Sequence, residues 1–571
     1  MSYAMTNKQL LGVAVQRPAV FAMAAFVLAA LQGADANLGL FFLHRQDRWL
    51  LLVGVVLLAI CAWRLPARER AFVGSWRLAL AIGTMMAIAA FAGHYLILSG
   101  HDLSRDEQMA TFDAQVFAQG QLVAPLSGIW RDHADALNTM FMYSASEPAA
   151  WISAYLPLNA VLRALFASMG DAALTGPAML VLGAVALWGC ARRIWPTDRE
   201  AAVVALLLYL GSGQILFNGM TAYAMPAHLA LNLCWLWLFL RRTTMTDLAA
   251  LAVGFVAVGL HQPIMHPMFA APILFLLLLE RDWRRAALYF AGYAAIGGFW
   301  AWWPNAMWVL VEADVSAPKG QGIDYLSRLI LTVLQGDGLR FANMVANLLR
   351  FFAWHHLLLL PLLPFGLAVA RKYRLAGAMA GGVLLTTTVM LVILPYQGHG
   401  FGYRYLHGLI GNCILLAVFG WMTLGEAQPR WRILLTRTTA AGLIIVLPLQ
   451  AWMANSFYAP YAQVSKRIAG SGADYVVVGE TDAPFAVDLV INPPALDARP
   501  IRLIRGAIDP ALAQALCGAQ PSPVVAFLGK EMLAPIRAYH GVKDEGAAQD
   551  NVNQAVGAQL RQRRCWTMII E

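Results

Sequence analysis

Long apolar runs separated by short polar loops dominate residues 1–452 of the chain. A helix that crosses the hydrocarbon core of a membrane needs about 20 mostly apolar residues, so each run is a candidate transmembrane helix. The pattern predicts about 13 such spans, several of them short. They lie near residues 17–38, 49–63, 76–98, 174–191, 200–217, 221–241, 247–262, 265–280, 286–303, 346–370, 375–394, 406–424 and 433–452.

Arginine and lysine residues are concentrated in alternate loops between these runs, and short basic loops stay on the cytoplasmic side of a membrane. All the basic clusters fall on one side if the N-terminus is cytoplasmic, and an odd number of spans then puts the C-terminus outside. Arg45 and Arg48, on the first outer loop, are a mild exception. The clusters are Arg64/Arg68/Arg70/Arg77, Arg192/Arg193/Arg199, Arg241/Arg242, Arg284/Arg285, Arg371/Lys372/Arg374 and Arg430/Arg432/Arg437.

Three outer segments are too long and too polar to be turns: about 100–173, about 304–345 and 453–571. The last contains short β-branched runs separated by helix-like stretches, a pattern typical of a small α/β domain. We therefore predict a mainly α, polytopic membrane protein. Its transmembrane domain is residues 1–452 with the first two outer segments, and residues 453–571 form an extracytoplasmic α/β domain.

The composition supports a membrane protein. Hydrophobic residues make up 60% of the chain and charged residues 13%, with a mean hydropathy of +0.59. Soluble proteins are nearer half apolar and a quarter charged, so a wholly soluble protein, a disordered chain and a coiled coil are excluded. The net charge of +9 could indicate nucleic-acid binding in a soluble protein. Here the arginines lie between apolar runs, so topology explains them and no nucleic-acid partner is expected.

Cys517 and Cys565 are the only cysteines of the last outer segment, and an oxidising compartment would let them form a disulfide. Sequence does not supply the required Cα separation of roughly 4.4–6.8 Å, so the pairing is left open. No CxxC or HExxH spacing occurs, so no dedicated zinc site is predicted. We predict no cofactor, although a divalent metal stays open.

Adjacent carboxylates, Asp106 and Glu107, begin the first outer segment in the stretch HDLSRDEQMATFDAQVFAQ. Two neighbouring acids can act as a base and its partner if their environments differ. Ser104 and Glu107 also have the S-x-x-E spacing of a capping box, which is a purely structural role. The two interpretations are compatible, and Asp106 is then the residue without a structural task.

Cations near the outer surface are candidates for binding a phosphate. Arg404 lies between two apolar spans in GHGFGYRYLH, where an arginine is costly unless it has a partner or a function. Arg105 is the second candidate for binding a phosphate, and Arg350 and Lys319 are lower-ranked candidates. Tyr403, in the same stretch as Arg404, is an interfacial aromatic or a sugar-stacking residue.

Histidines are candidates for lining a polar cavity near these cations. His399 belongs to the Arg404 stretch, and His261 and His266 belong to HQPIMHP, between two short spans. The spacing of the last two is not the usual helical metal-ligand spacing, so a polar cavity lining or an ordinary turn is favoured over a metal site.

Several motifs together resemble the GT-C superfamily of integral-membrane glycosyltransferases, especially its protein O-mannosyltransferase and aminoarabinose transferase group. They are the outer-loop Asp-Glu, the stretch GQLVAP, EPAAWISAYLPL at 147–158, and WGCARRIWPTDREAAVVALLLYL at 188–210. The resemblance covers about residues 75–245 and recurs weakly at 398–412. The first two spans are additional to the family pattern.

The resemblance implies a bacterial inner-membrane enzyme that moves a sugar from a polyprenyl phosphate to a hydroxyl of a glycan, lipid or protein on the outer face, with inversion. By this resemblance Asp106 matches the catalytic acid of the Asp-Glu motif and Glu107 its partner. The aminoarabinose branch carries Glu-Lys-Pro where this chain has Ser146-Glu147-Pro148. Glu147 is thus expected at the cavity in place of a lysine, which weakens any transfer of the aminoarabinose substrate.

Two other classes compete with this interpretation. A membrane transporter or flippase of lipid-linked saccharides would have a similar size, but such proteins usually show repeated halves and mid-membrane ionisable groups. No repeat is visible here, and the acids cluster in an outer segment. In a non-catalytic membrane scaffold with an outer binding domain, Asp106 would have no function.

Overall fold

The computed structural model describes residues 7–313, 338–518, 521–542 and 546–571. Lys319 and most of the predicted outer segment 304–345 lie outside these ranges. The helices of the apolar part are Asn7–Leu31, Leu38–Phe42, Arg48–Ala62, Trp76–Leu96, Thr175–Ile194, Arg199–Leu210, Gly213–Asn218, Met225–Phe239, Thr244–Val258, Met265–Leu279, Trp283–Val311, Arg340–Ala353, Leu359–Ala368, Arg374–Ile393, Ile410–Trp421, Gln428–Ala441 and Leu447–Ala469.

Helices are present at the position of every candidate span, as the apolar runs predicted. Within the described ranges, five helical stretches are long and apolar enough to cross a membrane, and shorter apolar helices accompany them. The chain is a multi-pass membrane protein, while the count of about 13 crossings remains a prediction. The five stretches are Leu11–Leu31, Trp76–Leu96, Ala172–Ile194, Arg374–Ile393 and Gly425–Ala469.

The described chain divides into two compact units. The first unit contains the described residues of 1–93, 173–300 and 338–453, and it holds most of the apolar helices. The second unit contains 94–172, 301–313 and 454–571. Its helices outside the apolar part are Arg105–Ala118, Leu158–Ser168, Pro510–Cys517, Lys530–His540 and Gly546–Gln562.

A four-stranded parallel sheet lies in the C-terminal part of the second unit. Its edge strand Ile501–Ile504 pairs with Tyr475–Val478, which pairs with Val524–Leu528, which pairs with Trp566–Ile570. Helices connect the later strands, as parallel pairing requires. The central strands, YVVV and VVAFL, are continuous apolar runs because both faces of a parallel sheet are covered.

The separate stretches of the second unit are joined by hydrogen bonds and a common apolar core. The indole of Trp151 donates to the carbonyl oxygen of Pro494 at 3.0 Å, and the main chain of Ala149 donates to Val311 at 2.8 Å. The rings of Phe112 and Trp151 pack edge to face with centroids 4.9 Å apart. The three segments that the sequence predicts to be outside therefore contribute to one folded body. The second unit also contains a two-stranded antiparallel ladder, in which Ala124–Pro125 pairs with Ala150–Trp151.

The pairing of Cys517 and Cys565 is settled by the structure as a disulfide, with a Cα separation of 5.0 Å. It joins the end of the helix Pro510–Cys517 to the residue before the last strand. Cys61, Cys190, Cys234 and Cys413 carry free thiols.

We expect alkylation of the denatured protein to modify four thiols without reductant and six after reduction, because only the outer pair is oxidised. Intact-mass measurement counts the added groups. Cys517→Ser is the matched control, since it frees Cys565 and raises the unreduced count by one. Six modified thiols in the unreduced wild type would contradict the disulfide.

Candidate functional site

The helix Arg105–Ala118 begins at the capping box that the sequence predicted. The hydroxyl of Ser104 accepts from the main chain of Glu107 at 3.3 Å, and Glu107 accepts from the main chain of Ser104 at 3.1 Å. Glu107 is 1% exposed and also accepts from the hydroxyl of Tyr458 at 3.1 Å. Burial raises the pKa of Glu107 to about 8, the charge of Asp102 adds to the rise, and the hydrogen bonds oppose it. The Glu107 carboxyl is therefore engaged in the start of this helix.

Asp106 differs from its neighbours because it stays half-buried while the residues on either side are buried. The hydroxyl of Tyr155 donates to its carboxylate. Phe141, whose ring is 5.7 Å from that of Tyr155, has a φ of +66°, a conformation that bulky residues rarely adopt. Backbone strain of this kind clusters at functional sites. Asp106 is thus an oriented carboxylate that solvent or a substrate can reach.

Arg105 lies next to Asp106 but points its guanidinium into the second unit, where it is 5% exposed. It donates to the carbonyl oxygens of Asn138 and Met140 and to the side chain of Gln108. Burial lowers its pKa to about 10, and nearby carboxylates oppose the shift. A phosphate could bind Arg105 only in exchange for some of these bonds, so its predicted role remains a hypothesis.

Two further carboxyls of the second unit, Asp113 and Asp488, were not predicted from the sequence. Burial raises the pKa of each to about 7. Ser153 donates to Asp113 through its main chain at 3.1 Å and through its hydroxyl. The charge of Arg105 opposes the rise in the pKa of Asp488, and the charge of Asp106 adds to it. An isolated aspartate far along the chain carries no sequence pattern that would have revealed this.

Glu147, which the resemblance placed at the cavity, has an exposed side chain. Its main chain donates to the carboxylate of Glu312 at 2.9 Å and accepts from Ala313 at 2.9 Å. These contacts anchor the segment around Glu147 within the second unit, and a role of its carboxylate in a cavity remains a prediction.

In the first unit, Arg404 begins a short helical turn, Arg404–Leu409, at the end of a glycine-rich loop. Gly400 and Gly402 have φ values of +117° and +65°, which glycine adopts without strain. A Cβ at Gly400 would lie 2.4 Å from Cδ of Arg404, so glycine also leaves room for the arginine side chain. Gln397 fixes the turn by accepting from the Arg404 main chain at 2.7 Å.

The loop is supported by the helix Arg340–Ala353 and by Asp47, near the N-terminus. Arg350 donates to the carbonyl oxygen of Gly400 at 2.5 Å, and its Nε lies 3.9 Å from the carboxylate of Asp47. The indole of Trp354 donates to the same carboxylate at 2.9 Å. Asp47 and Arg350 are buried, so their charges stabilise each other. Arg350, a lower-ranked candidate for phosphate binding, thus holds the Arg404 loop in place.

Arg404 lines a small cleft that is open at its mouth and has a cavity volume of about 20 Å³. The guanidinium carbon lies 4.5 Å from the centre of the Tyr223 ring, a cation–π contact. Its walls carry both polar and apolar groups. The lining residues are Met225, His228, Asn232, His261, Met265, Arg404, Tyr405, Gly408 and Leu409. We call this the Arg404 cleft.

Of the residues predicted to line a cavity, His261 lines the Arg404 cleft, and Tyr403, His266 and His399 are buried outside its lining. His266 pairs with Asn232 at 2.7 Å and with the hydroxyl of Tyr293 at 2.6 Å. The carbonyl oxygen of Tyr403 accepts from Gln214 at 2.8 Å.

His228 was not among the residues predicted from the sequence, although it lies in the apolar helix MPAHLALNLCWLWLF. An ionisable residue within an apolar helix is a functional candidate by default. That signal alone could have identified it.

Neither a protein-family model nor a curated protein sequence matches the chain. Among solved structures, ArnT from Cupriavidus metallidurans in its apo state is 12% identical, with 83% of this chain and 90% of that chain covered and a TM-score of 0.47. The Archaeoglobus fulgidus oligosaccharyltransferase, in a complex with Zn and sulfate, is 12% identical, with 81% of this chain and 61% of that chain covered and a TM-score of 0.40.

Proposed function

We propose that this protein is a GT-C-like glycosyltransferase that transfers a sugar from a polyprenyl phosphate to an acceptor hydroxyl on the outer face of the membrane. The proposal rests on the different burial and hydrogen bonding of Asp106 and Glu107. Glu107 is buried in a capping box, whereas Asp106 stays half-buried and is oriented by Tyr155. A carboxylate held in this way suits a general base.

In the proposed reaction Asp106 takes the proton of the acceptor hydroxyl as its oxygen attacks the anomeric carbon of the sugar. The bond between that carbon and the phosphate oxygen breaks, and the electron pair stays on the phosphate. A single displacement of this kind inverts the anomeric centre. Phosphate is a good leaving group, so the base is the group that the protein must supply.

The charge that develops on the phosphate requires preorganised donors. We propose Arg404 for this role, because a guanidinium in a cleft that also has apolar walls can bind a phosphate attached to a hydrocarbon chain. Arg105 is the second proposed ligand, subject to the exchange of its present hydrogen bonds. The acceptor is a glycan, a lipid or a protein, and membrane lipid surrounds the apolar helices.

We further propose a location in the bacterial inner membrane, with the N-terminus in the cytoplasm and the C-terminal segment in the periplasm. The basic loops favour this orientation by the positive-inside rule. The disulfide between Cys517 and Cys565 favours an oxidising compartment for that segment.

A flippase of lipid-linked saccharides, the alternative from the sequence, is not favoured. An oriented, accessible carboxylate in an outer segment serves proton transfer better than translocation. The two functions nevertheless predict different lipid intermediates, so one experiment distinguishes them.

The test is mass spectrometry of envelope glycans, lipids and glycoproteins from a strain that lacks the protein, complemented with wild type or Asp106→Asn. The proposal predicts that one sugar modification disappears, that only wild type restores it, and that the polyprenyl-phosphate sugar accumulates on the outer leaflet. Accumulation on the inner leaflet, protected from an external periodate reagent, would identify a flippase. Unchanged glycans and donor lipid would reject both functions.

A further inference from the structure

His228 lines the Arg404 cleft and is buried, but the reaction proposed above assigns it no role. It is 4% exposed, yet within the described part of the chain neither ring nitrogen has a hydrogen-bond partner. A buried polar atom without a partner typically costs about 1–3 kcal/mol. Such a group requires an explanation, and a ligand that hydrogen-bonds to it is one explanation where the group also lines a cleft.

The other polar groups on this wall form a closed network. His228 and Asn232 are one helical turn apart, so both face the cleft. The amide of Asn232 donates to the carbonyl oxygen of Gly408 at 2.9 Å and pairs with His266 at 2.7 Å. The second nitrogen of His266 pairs with Tyr293. The amide nitrogen and the amide oxygen of Asn232 each have a partner, while His228 retains its hydrogen-bonding capacity.

The opposite wall comes from the turn Arg404–Leu409, which packs directly on the helix of His228. A Cβ at Gly408 would lie 3.0 Å from Nδ2 of Asn232 and 3.5 Å from the Cβ of His228, so the turn lies close against this helix. Arg404 and His228 consequently line the same cleft from two elements far apart in sequence. Met225, Met265 and Leu409 provide apolar surface beside them.

We infer that His228 is a second hydrogen-bond donor to the phosphate that Arg404 binds, and that the cleft takes a phosphate ester carried on an apolar chain. This inference rests on the proposed function. A neutral imidazole donates one hydrogen bond, and a guanidinium supplies charge and a two-pronged contact. Together they match a phosphate that becomes more negative as its bond to the sugar breaks.

The test measures the affinity of the purified full-length protein in lipid nanodiscs for farnesyl phosphate, with farnesol and inorganic phosphate as comparison ligands. We expect His228→Leu to weaken farnesyl phosphate binding roughly tenfold to a hundredfold, as expected for a hydrogen bond to a charged group. Its thermal stability should stay equal or rise, because a buried polar group without a partner is removed. His228→Gln, which retains a donor, should fall between.

His407→Leu is the matched control, because His407 is also fully buried without a hydrogen-bond partner among the described residues but does not line the cleft. Its affinity should equal that of wild type. Equal affinity of His228→Leu and wild type would overturn the inference, as would equal losses in both histidine variants. If inorganic phosphate bound as tightly as farnesyl phosphate, the inferred contribution of the apolar chain to binding would be wrong. Wild type without affinity for farnesyl phosphate would instead contradict the proposed donor site.

Discussion

Asp106→Asn is expected to lower the transfer rate by about 10²–10⁴-fold while the protein remains folded in the membrane. Asparagine has nearly the same shape and can still accept the hydrogen bond from Tyr155. It cannot take a proton at neutral pH, so only the general base is lost. The measurement is the initial transfer rate per folded enzyme, with purified protein and a polyprenyl-phosphate sugar.

Two comparison variants test whether the loss of activity is specific to the carboxylate of Asp106. Glu107→Gln should retain most activity, because glutamine also serves in a capping box and can accept from Tyr458. Asp132→Asn removes an exposed carboxylate from the same outer segment and should leave the rate unchanged. If Asp106→Asn keeps most of its activity, the assignment of the base is wrong and the main support for an enzyme is lost.

Arg404→Ala is expected to weaken binding of the donor phosphate by about 2–5 kcal/mol, the cost of losing one partner of a desolvated charge pair. Arg404→Lys keeps the charge but loses the planar fork and its stacking on Tyr223, so its affinity should be intermediate. Equilibrium binding of a polyprenyl phosphate to the protein in nanodiscs measures both changes.

Arg241→Ala is the control for these variants. Arg241 also stacks on an aromatic ring, that of Trp237 at 4.4 Å, but it belongs to a predicted cytoplasmic loop. Its replacement should leave donor binding unchanged. An affinity of Arg404→Ala equal to that of Arg241→Ala would remove Arg404 from the proposed site.

The helices and the capping box could be predicted because their causes are local. An apolar run of sufficient length forms a helix wherever lipid surrounds it, since all backbone polar groups must be paired within the segment. The spacing of Ser104 and Glu107 specifies the cap in the same way. The Arg404 candidate also arose locally, from an arginine between two apolar runs.

The environments of Asp106 and Glu107 required the tertiary structure. The capping-box spacing assigned Glu107 a structural role, but its burial against Tyr458, hundreds of residues away, is visible only in the fold. The same holds for Arg105, whose donors are engaged by the carbonyl oxygens of Asn138 and Met140. Burial and hydrogen-bond partners are long-range properties, so spacing along the chain could not supply them.

The sequence by itself determined the membrane class, the helix positions, the cap and the list of charged candidates, because each follows from composition or from neighbours within a turn. The tertiary structure alone decided that three distant outer segments share one core and that His228 joins Arg404 in a cleft. It also paired Cys517 with Cys565. The physical reason is that packing brings together residues whose separation in sequence carries no information about their distance in space.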